Sequence, residues 1–146
     1  MIEKIKALIR ENGTCVMATV FNDKPHCSLM SYATDDECHE IYMITRRETK
    51  KYRNLLQNPS VSLLIDTRAE SAAGRHTGVA MALTINGVFE KISDTAKREL
   101  ALTQLQERHP ELRAFIDNSG AELIVVRCLS FQLLECLQNS YFVNTE

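Results

Sequence analysis

The order of apolar and polar positions along the chain predicts a series of extended strands with short helices between them. At the amino end, apolar residues recur at the spacing of one helical face between charged positions, which predicts a short amphipathic helix. Asn12-Gly13 follows the last apolar residue of that face and predicts a left-handed helix cap. The first segment is therefore expected to be a helix that leads into a sheet.

Three extended runs follow this helix, at residues 14–21, 25–33 and 40–45. The loops between them are short and polar, and such loops usually join antiparallel neighbours. The sequence therefore predicts a meander of three strands. The first run, TCVMATVF, is apolar at both alternating sets of positions, so both of its faces are expected to be covered.

Helical spacing then replaces strand alternation, with Tyr52, Leu55 and Leu56 on one face, and Asn58-Pro59 ends the predicted helix. The later segments are read in the same way. They are a strand at 61–66, an exposed loop at 67–77, a long run at 78–92 with a bulge or bend at Asn86-Gly87, a helix at 93–109, a shorter helix opened by Pro110, and strands at 121–128 and 130–137.

Six or seven strands with only short helices between them favour a closed β-barrel over an open sheet, because closure removes exposed strand edges. Apart from the helix predicted at 48–57, no segment before residue 93 is suited to a parallel crossover. The predicted fold is therefore mainly β, an antiparallel, Greek-key-like barrel with short helices. One domain is expected to span residues 1–146.

The composition argues against nucleic-acid and membrane partners. The chain carries 17 Lys and Arg against 19 Asp and Glu, a net charge of −2, and has few aromatic residues to stack on bases. No stretch approaches the ~20 consecutive apolar residues of a membrane span. Charges at Glu3, Lys4 and Lys6 interrupt any signal-peptide core, and the five cysteines lack the spacing of a zinc or redox motif. We therefore expect a cytoplasmic protein with reduced thiols and no metal site.

A cluster of cations stands where the third strand meets the following helix, in the sequence TRRETKKYRN of residues 45–54. Thr49, Lys50 and Lys51 fall on the first turn of that helix, where backbone N–H groups lack helical partners and attract anions. Cations at this end of a helix oppose its dipole by roughly 0.3–1 kcal/mol each, and a bound phosphate would reverse that sign. One interpretation is therefore a phosphate site. The other is a solvated basic face paired with Glu48 and nearby carboxylates.

Three segments together carry a resemblance to a known family. They are PHCSLMSY, then EIYMIT running into RRETKKYRNLLQNPSVSLLID, and later TGVAMALTINGVFEKI. In this order they resemble the pyridoxamine 5'-phosphate oxidase-like, FMN-binding split-barrel family. The resemblance implies a split β-barrel that binds FMN and acts as a flavin-dependent oxidoreductase on a nicotinamide or a small reduced substrate.

The resemblance also implies which residues form the site. The FMN phosphate is held in the family by a Ser or Thr and two cations at the start of the helix, which match Thr49, Lys50 and Lys51. The flavin ring lies against the second and third strands, which carries over to Ser28, Met30, Ser31, Met43, Ile44 and Thr45. The family is typically a homodimer with two flavins at the interface, and Arg75 and His76 are the residues implied to reach a flavin of the partner subunit.

Two departures from the family pattern narrow the function. Many relatives carry an arginine on the second strand that faces the phosphate, whereas this chain has Ser28. The chain ends in QNSYFVNTE and lacks the Arg-x-His element of the true oxidase, so vitamin B6 oxidation is not expected. No catalytic side chain is assigned, although His26 is the histidine placed best to point toward the cofactor. Two alternatives to a flavin-dependent oxidoreductase remain. One is a flavin-binding protein without turnover, and the other is the same barrel binding deazaflavin F420 or haem.

Overall fold

The computed structural model describes residues 1–68, 80–136 and 139–145. Its helices are α1 (Ile2–Glu11), α2 (Lys50–Gln57), α3 (Thr95–Arg108) and α4 (Arg113–Ile116), with a 3-10 turn at Pro110–Leu112 before α4. Its strands are β1 (Thr14–Phe21), β2 (Lys24–Ser31), β3 (Ala33–Thr34), β4 (Glu40–Arg46), β5 (Ser60–Asp66), β6 (Met81–Glu90), β7 (Ala121–Glu135) and β8 (Asn139–Asn144). Within these ranges no helix is both long enough and apolar enough to cross a membrane.

The strands form one antiparallel, curled sheet. Its order is β2-β1-β5-β6-β7-β4-β3, and β8 pairs with β7 beside that path. The two ends of the path, β2 and β3, are consecutive in the chain and only Tyr32 separates them. The fold class predicted from the sequence, a mainly β split barrel with short helices, is confirmed.

The second predicted strand, residues 25–33, is divided at Tyr32. Residues before the break pair with β1, and Ala33 and Thr34 pair with β4 instead. The backbone N–H of Tyr32 donates to the carbonyl oxygen of Gly13 at 2.9 Å, and its buried hydroxyl donates to the carbonyl of Ile9 at 2.7 Å. These bonds fix the bend. Because only Ala33 and Thr34 of this segment pair with β4, most of β4 pairs with β7 instead. The predicted meander of three strands therefore holds only for the β1–β2 and β3–β4 hairpins.

Two predictions at chain segments are corrected by the structure. The predicted strands at 121–128 and 130–137 are one continuous strand, β7, and the sheet gains β8 from the segment after it, so the strand count is eight. The predicted left-handed cap after α1 is wrong, because Asn12 has φ −106° and ψ 159°, which is extended backbone. The predicted bulge is confirmed, since the register of β6 against β7 shifts between Asn86 and Gly87.

Two hydrophobic clusters lie on the two faces of the sheet. The larger one fills the barrel and takes side chains from α1, α2 and the inward positions of the strands, including Met17, Met43 and Ile85. The smaller one lies outside β4 and β7, where Ala101 and Leu105 of α3 cover residues such as Val125. One half of the outer sheet surface is thus covered by helices of the same chain.

The outer surface of β2, β1 and β5 is bare by comparison. Residues opposite one another in antiparallel strands share a face, and the register aligns Leu29, Val16 and Leu64 in one row across these three strands. Leu29 is 77% exposed, and Leu64 is also exposed. The expectation that both faces of the first strand are covered is therefore not met by the described part of this chain alone.

Helix α2 is fixed to the barrel by its inward face. Tyr52 and Leu55 are buried in the main core, and the Tyr52 ring makes an edge contact with Phe89 at 6.2 Å between centroids. On the adjoining face, the side-chain amide of buried Asn54 donates to the Thr19 hydroxyl at 3.1 Å. Because these anchors set the position of the helix, its first turn is held against the end of β4.

Candidate cofactor site

A cavity of about 300 Å³ lies where β4 ends and α2 begins. It lies at the lower end of the roughly 300–1,000 Å³ typical of ligand pockets. Its walls come from β2, β4, the start of α2 and the segment around α4. The lining residues are Leu29, Met30, Ser31, Ile44, Thr45, Arg46, Thr49, Lys51, Leu112 and Phe115.

Thr49 is the N-cap of α2 and organises the polar end of this cavity. Its hydroxyl accepts from the backbone N–H of Tyr52 at 3.4 Å and donates to the carbonyl of Arg46 at 2.9 Å. The hydroxyl oxygen of buried Thr45 lies 3.2 Å from the hydroxyl oxygen of Thr49. This cap satisfies one of the amides at the helix start, and the remaining first-turn N–H groups retain the anion affinity of a helix N-terminus.

The arginines beside the cap are both held by carboxylates. Arg46 pairs with Glu48 at 2.7 Å, and this hydrogen bond lowers the pKa of the Glu48 carboxyl. Arg47 pairs with Glu122 at 2.7 Å, and this hydrogen bond raises the pKa of the guanidinium. Glu122 also accepts from the Tyr52 hydroxyl, whose pKa is raised by burial and then by this carboxylate. Arg47 thus braces β4 and α2 against β7 and does not line the cavity.

The two lysines of the first turn face different spaces. Lys51 is half-buried and lines the cavity together with Thr49. Lys50 is exposed and lines a separate groove together with Arg53. Neither lysine forms an ion pair with any residue that the structure describes. Of the two cations that line the cavity, Arg46 is paired with Glu48, and Lys51 forms no ion pair with the described residues.

The structure brings together several of the residues predicted to hold a flavin. Met30, Ser31, Ile44, Thr45, Thr49 and Lys51 all line the one cavity. Lys50 lies on the groove side of α2, Ser28 is half-buried outside the lining, and Met43 is fully buried in the barrel core. His26 is half-buried opposite Thr19 and does not line the cavity. Arg75 and His76 lie outside the described residues.

Three lining residues were not singled out from the sequence. Leu29 belongs to the strand that carries Met30 and Ser31, and it points to the outer face of the sheet. Leu112 and Phe115 come from the 3-10 turn and α4, about 65 residues further along the chain than the strand end that they cover. Their three-residue spacing marks one helical face, but nothing in the sequence indicates which strand that face covers.

The arrangement fits a planar aromatic ligand that carries a phosphate. Ile44, Leu112 and Phe115 supply apolar walls, and Thr49, Lys51 and the helix start supply donors and positive charge at one end. A haem would need an axial ligand, normally His, Cys, Met or Tyr. Among the described lining residues only Met30 is of these types, and its side chain is part of the main core. The residues present thus match a flavin nucleotide better than a haem.

Comparison with solved structures shows the same fold in proteins of different binding specificity. A heme binding protein from Mycobacterium smegmatis superposes with a TM-score of 0.83 at 16% identity, over 98% of this chain and 57% of its own length. A FAD-binding protein from Mesorhizobium loti superposes with a TM-score of 0.71 at 14% identity, over 90% of this chain and 91% of its own length. General Stress Protein 26 from Bacillus anthracis superposes with a TM-score of 0.70 at 20% identity, over 98% of this chain and 97% of its own length. These identities establish the fold alone.

Sequence comparison identifies the family. No curated protein matches the chain. The family described as pyridoxamine 5'-phosphate oxidase matches residues 1–129 of the 146 in the chain. This match includes β2, β4, α2 and α4, which form the walls of the cavity. The chain therefore belongs to the pyridoxamine 5'-phosphate oxidase family.

Proposed function

We propose that the chain binds a flavin nucleotide in the cavity at the start of α2, with FMN as the smallest form that fills both the apolar and the polar end. The observation that carries this proposal is the pairing of Thr49 and Lys51 with the apolar wall of Ile44 and Phe115 in one cavity. Riboflavin lacks the phosphate that the polar end is suited to. Membership of the family supports the same ligand class.

Each part of the site would make a distinct contribution to binding. Lys51 and the free amides of the first turn would hold the phosphate, since hydrogen bonds to charged groups are roughly twice as strong as neutral ones. Ile44 and Phe115 would exclude water from one face of the ring, and the backbone of β2 at Met30 and Ser31 would meet its polar edge. When bound, the flavin supplies hydride and electron transfer, and the protein supplies binding and orientation.

We propose an oxidoreductase role in which a nicotinamide or another small reduced substrate donates to the bound flavin. Among the described lining residues there is no His, Cys, Asp or Glu to act as a general acid or base. Such a lining suits chemistry that the cofactor carries out itself. A flavin-binding protein without turnover would use the same residues, and consumption of NADH under air distinguishes the two roles.

We also propose that two copies of the chain form a homodimer through the outer face of β2, β1 and β5. Leu29 belongs both to the exposed row on that face and to the lining of the cavity. A second copy that covers this face would therefore also close the open side of the cavity. Exposed apolar surface of this kind commonly marks an interaction site.

The visible absorption spectrum of the protein after incubation with FMN or with haem, followed by gel filtration, tests the proposed ligand. We expect flavin bands that remain with the protein at about one FMN per chain. Haem binding is the competing outcome, because a heme binding protein has the same fold. A Soret band retained after incubation with haem, without retained flavin, would overturn the proposal.

A further inference from the structure

A second groove, of about 420 Å³, is lined by residues of α2 other than those that line the proposed flavin site. It is lined by Lys50, Arg53, Asn54, Leu56 and Gln57 of the helix and by Phe21 at the end of β1. Positions 50, 53, 54 and 57 follow the spacing of one helical face. The groove is therefore a continuous strip along the helix and begins at its first turn.

The groove combines positive charge with exposed apolar side chains. Lys50 and Arg53 take part in no ion pair within the described ranges. Phe21 and Leu56 are both large apolar residues exposed to solvent. Two unpaired cations beside an aromatic ring are suited to a ligand that carries both a phosphate and a base, because bases stack on aromatic side chains.

Asn54 provides an independent sign of a ligand in this groove. The residue is only 5% exposed, and its side-chain amide nitrogen is satisfied by the Thr19 hydroxyl. Its Oδ1 has no protein partner in the part of the chain that the structure describes. A buried acceptor that lines a groove without a partner is costly unless a ligand or solvent donates to it. The exocyclic amino group of adenine is a donor of the required type.

From these contacts we infer that the groove binds the adenylate half of FAD, so that the chain takes the flavin dinucleotide in preference to FMN. This inference rests on the proposed flavin site. Successive residues of a helix point about 100° apart, so Lys51 and Lys50 leave the first turn in different directions and line different cavities. One phosphate of the dinucleotide would meet Lys51 and the next would meet Lys50, with Arg53 beside it. The adenine would lie against Phe21 and reach Asn54.

Isothermal titration calorimetry with FAD and with FMN, on the wild type and on the double variant Lys50→Ala/Arg53→Ala, tests the inference. We expect the wild type to bind FAD at least about tenfold more tightly than FMN, a difference that corresponds to one charge-assisted hydrogen bond. The double variant should lose this preference and keep its FMN affinity within about twofold. Lys91→Ala, which removes an exposed cation outside both cavities, should change neither affinity.

The outcomes separate the two claims. Equal affinities of the wild type for FAD and FMN, or undiminished FAD binding by the double variant, would overturn the assignment of the groove and leave the flavin site intact. Failure of both flavins to bind would contradict the proposed function, and the groove assignment would fall with it.

Discussion

Consecutive lysines at the start of α2 serve different surfaces of the protein. Lys51 is half-buried in the wall of the cavity next to Thr49, whereas Lys50 is exposed beside Arg53. Arg46 and Arg47 are engaged with Glu48 and Glu122. The basic cluster is thus partly a paired surface, and its two lysines form no ion pair with the residues that the structure describes.

Replacing Lys51 with Ala should weaken FMN binding by about 10- to 100-fold, since a hydrogen bond to a charged group contributes roughly 1.5–3 kcal/mol. Riboflavin binding should stay unchanged because riboflavin has no phosphate. Lys50→Ala serves as the matched control and should leave FMN binding within about twofold. Both variants are measured by quenching of flavin fluorescence. Equal losses in the two variants would show that the cavity does not distinguish the lysines.

Buried thiols should make the protein sensitive to alkali. Burial raises the pKa of Cys15 from 9.0 to about 12. Because the folded state keeps the thiol neutral while the unfolded state ionises near pH 9, this contribution to stability is complete below pH 9 and is lost as pH rises toward 12. Each pH unit in that window lowers the free energy of unfolding by about 1.4 kcal/mol for this thiol.

The Cys15→Ala variant removes that titration and leaves the other buried groups in place. Urea denaturation at pH 8 and pH 10 should show a smaller decrease in the free energy of unfolding for Cys15→Ala than for the wild type. Its stability at pH 8 is expected to be lower, because Cys15 is buried in the core. An identical decrease between the two pH values in both proteins is incompatible with this account.

At the scale of elements, β6 and β7 approach each other closely at the bulge in β6. A Cβ at Gly87 would lie 2.5 Å from the Cγ1 of Val126 and 2.7 Å from the carbonyl oxygen of Arg127, both on the neighbouring strand. Contacts this short require the strands to move apart. Glycine at this position is therefore what allows β6 and β7 to pair through the register shift.

Gly87→Ala should lower the free energy of unfolding by about 1–3 kcal/mol, the usual cost of inserting an extra group into a packed region. Gly120→Ala is the matched control, since its nearest contact would be an ordinary 3.4 Å to the Asn118 side chain. Chemical denaturation of both variants measures the difference. Equal stabilities would mean that β6 and β7 can separate at the bulge without cost.

Most local elements follow from the sequence, and the failures have physical causes. The β1–β2 hairpin, α2 and the bulge were predicted because turn residues and periodicity encode them locally. The break at Tyr32 was not, because it depends on hydrogen bonds to Gly13 and Ile9, which are distant in sequence. The continuity of β7 depends on its pairing with both β4 and β6, and local patterns do not reveal pairing.

The candidate site was predictable to the extent that it lies on consecutive segments. The end of β4 and the start of α2 contribute Ile44, Thr45, Thr49 and Lys51. The cation cluster pointed to Thr49 and Lys51, and the family resemblance implied Ile44 and Thr45. Leu112 and Phe115 reach the cavity only through the packing of the α3–α4 region on the sheet. Which of two adjacent lysines faces the cavity depends on the rotation of α2, which Tyr52 and Leu55 set through the core.

At the scale of the whole molecule, the outer surface of the sheet is covered unequally. Helices α3 and α4 pack over β4 and β7, while the row through Leu29, Val16 and Leu64 has no cover among the described residues. The same register extends the row through β6 and β7 to Phe142 on β8, which is 63% exposed. In the homodimer proposed above, a second copy of the chain would cover this row and also complete the cavity.

Sedimentation velocity at micromolar concentration should therefore show a dimer for the wild type and a monomer for Leu29→Asp, because a carboxylate cannot be buried in an apolar interface without a partner. Leu100→Asp is the control, since Leu100 is a similarly exposed leucine on α3, away from that row. It should remain a dimer. A wild type that is monomeric when loaded with flavin would refute the proposed interface.

The affinity of the wild type for FMN compared with riboflavin shows whether the site binds a phosphate, because the two ligands share the ring and differ only in the phosphate that Thr49, Lys51 and the start of α2 are proposed to hold. Titration at fixed ionic strength, followed by flavin fluorescence, should show FMN binding at least about tenfold more tightly. Equal affinities for FMN and riboflavin would contradict the account.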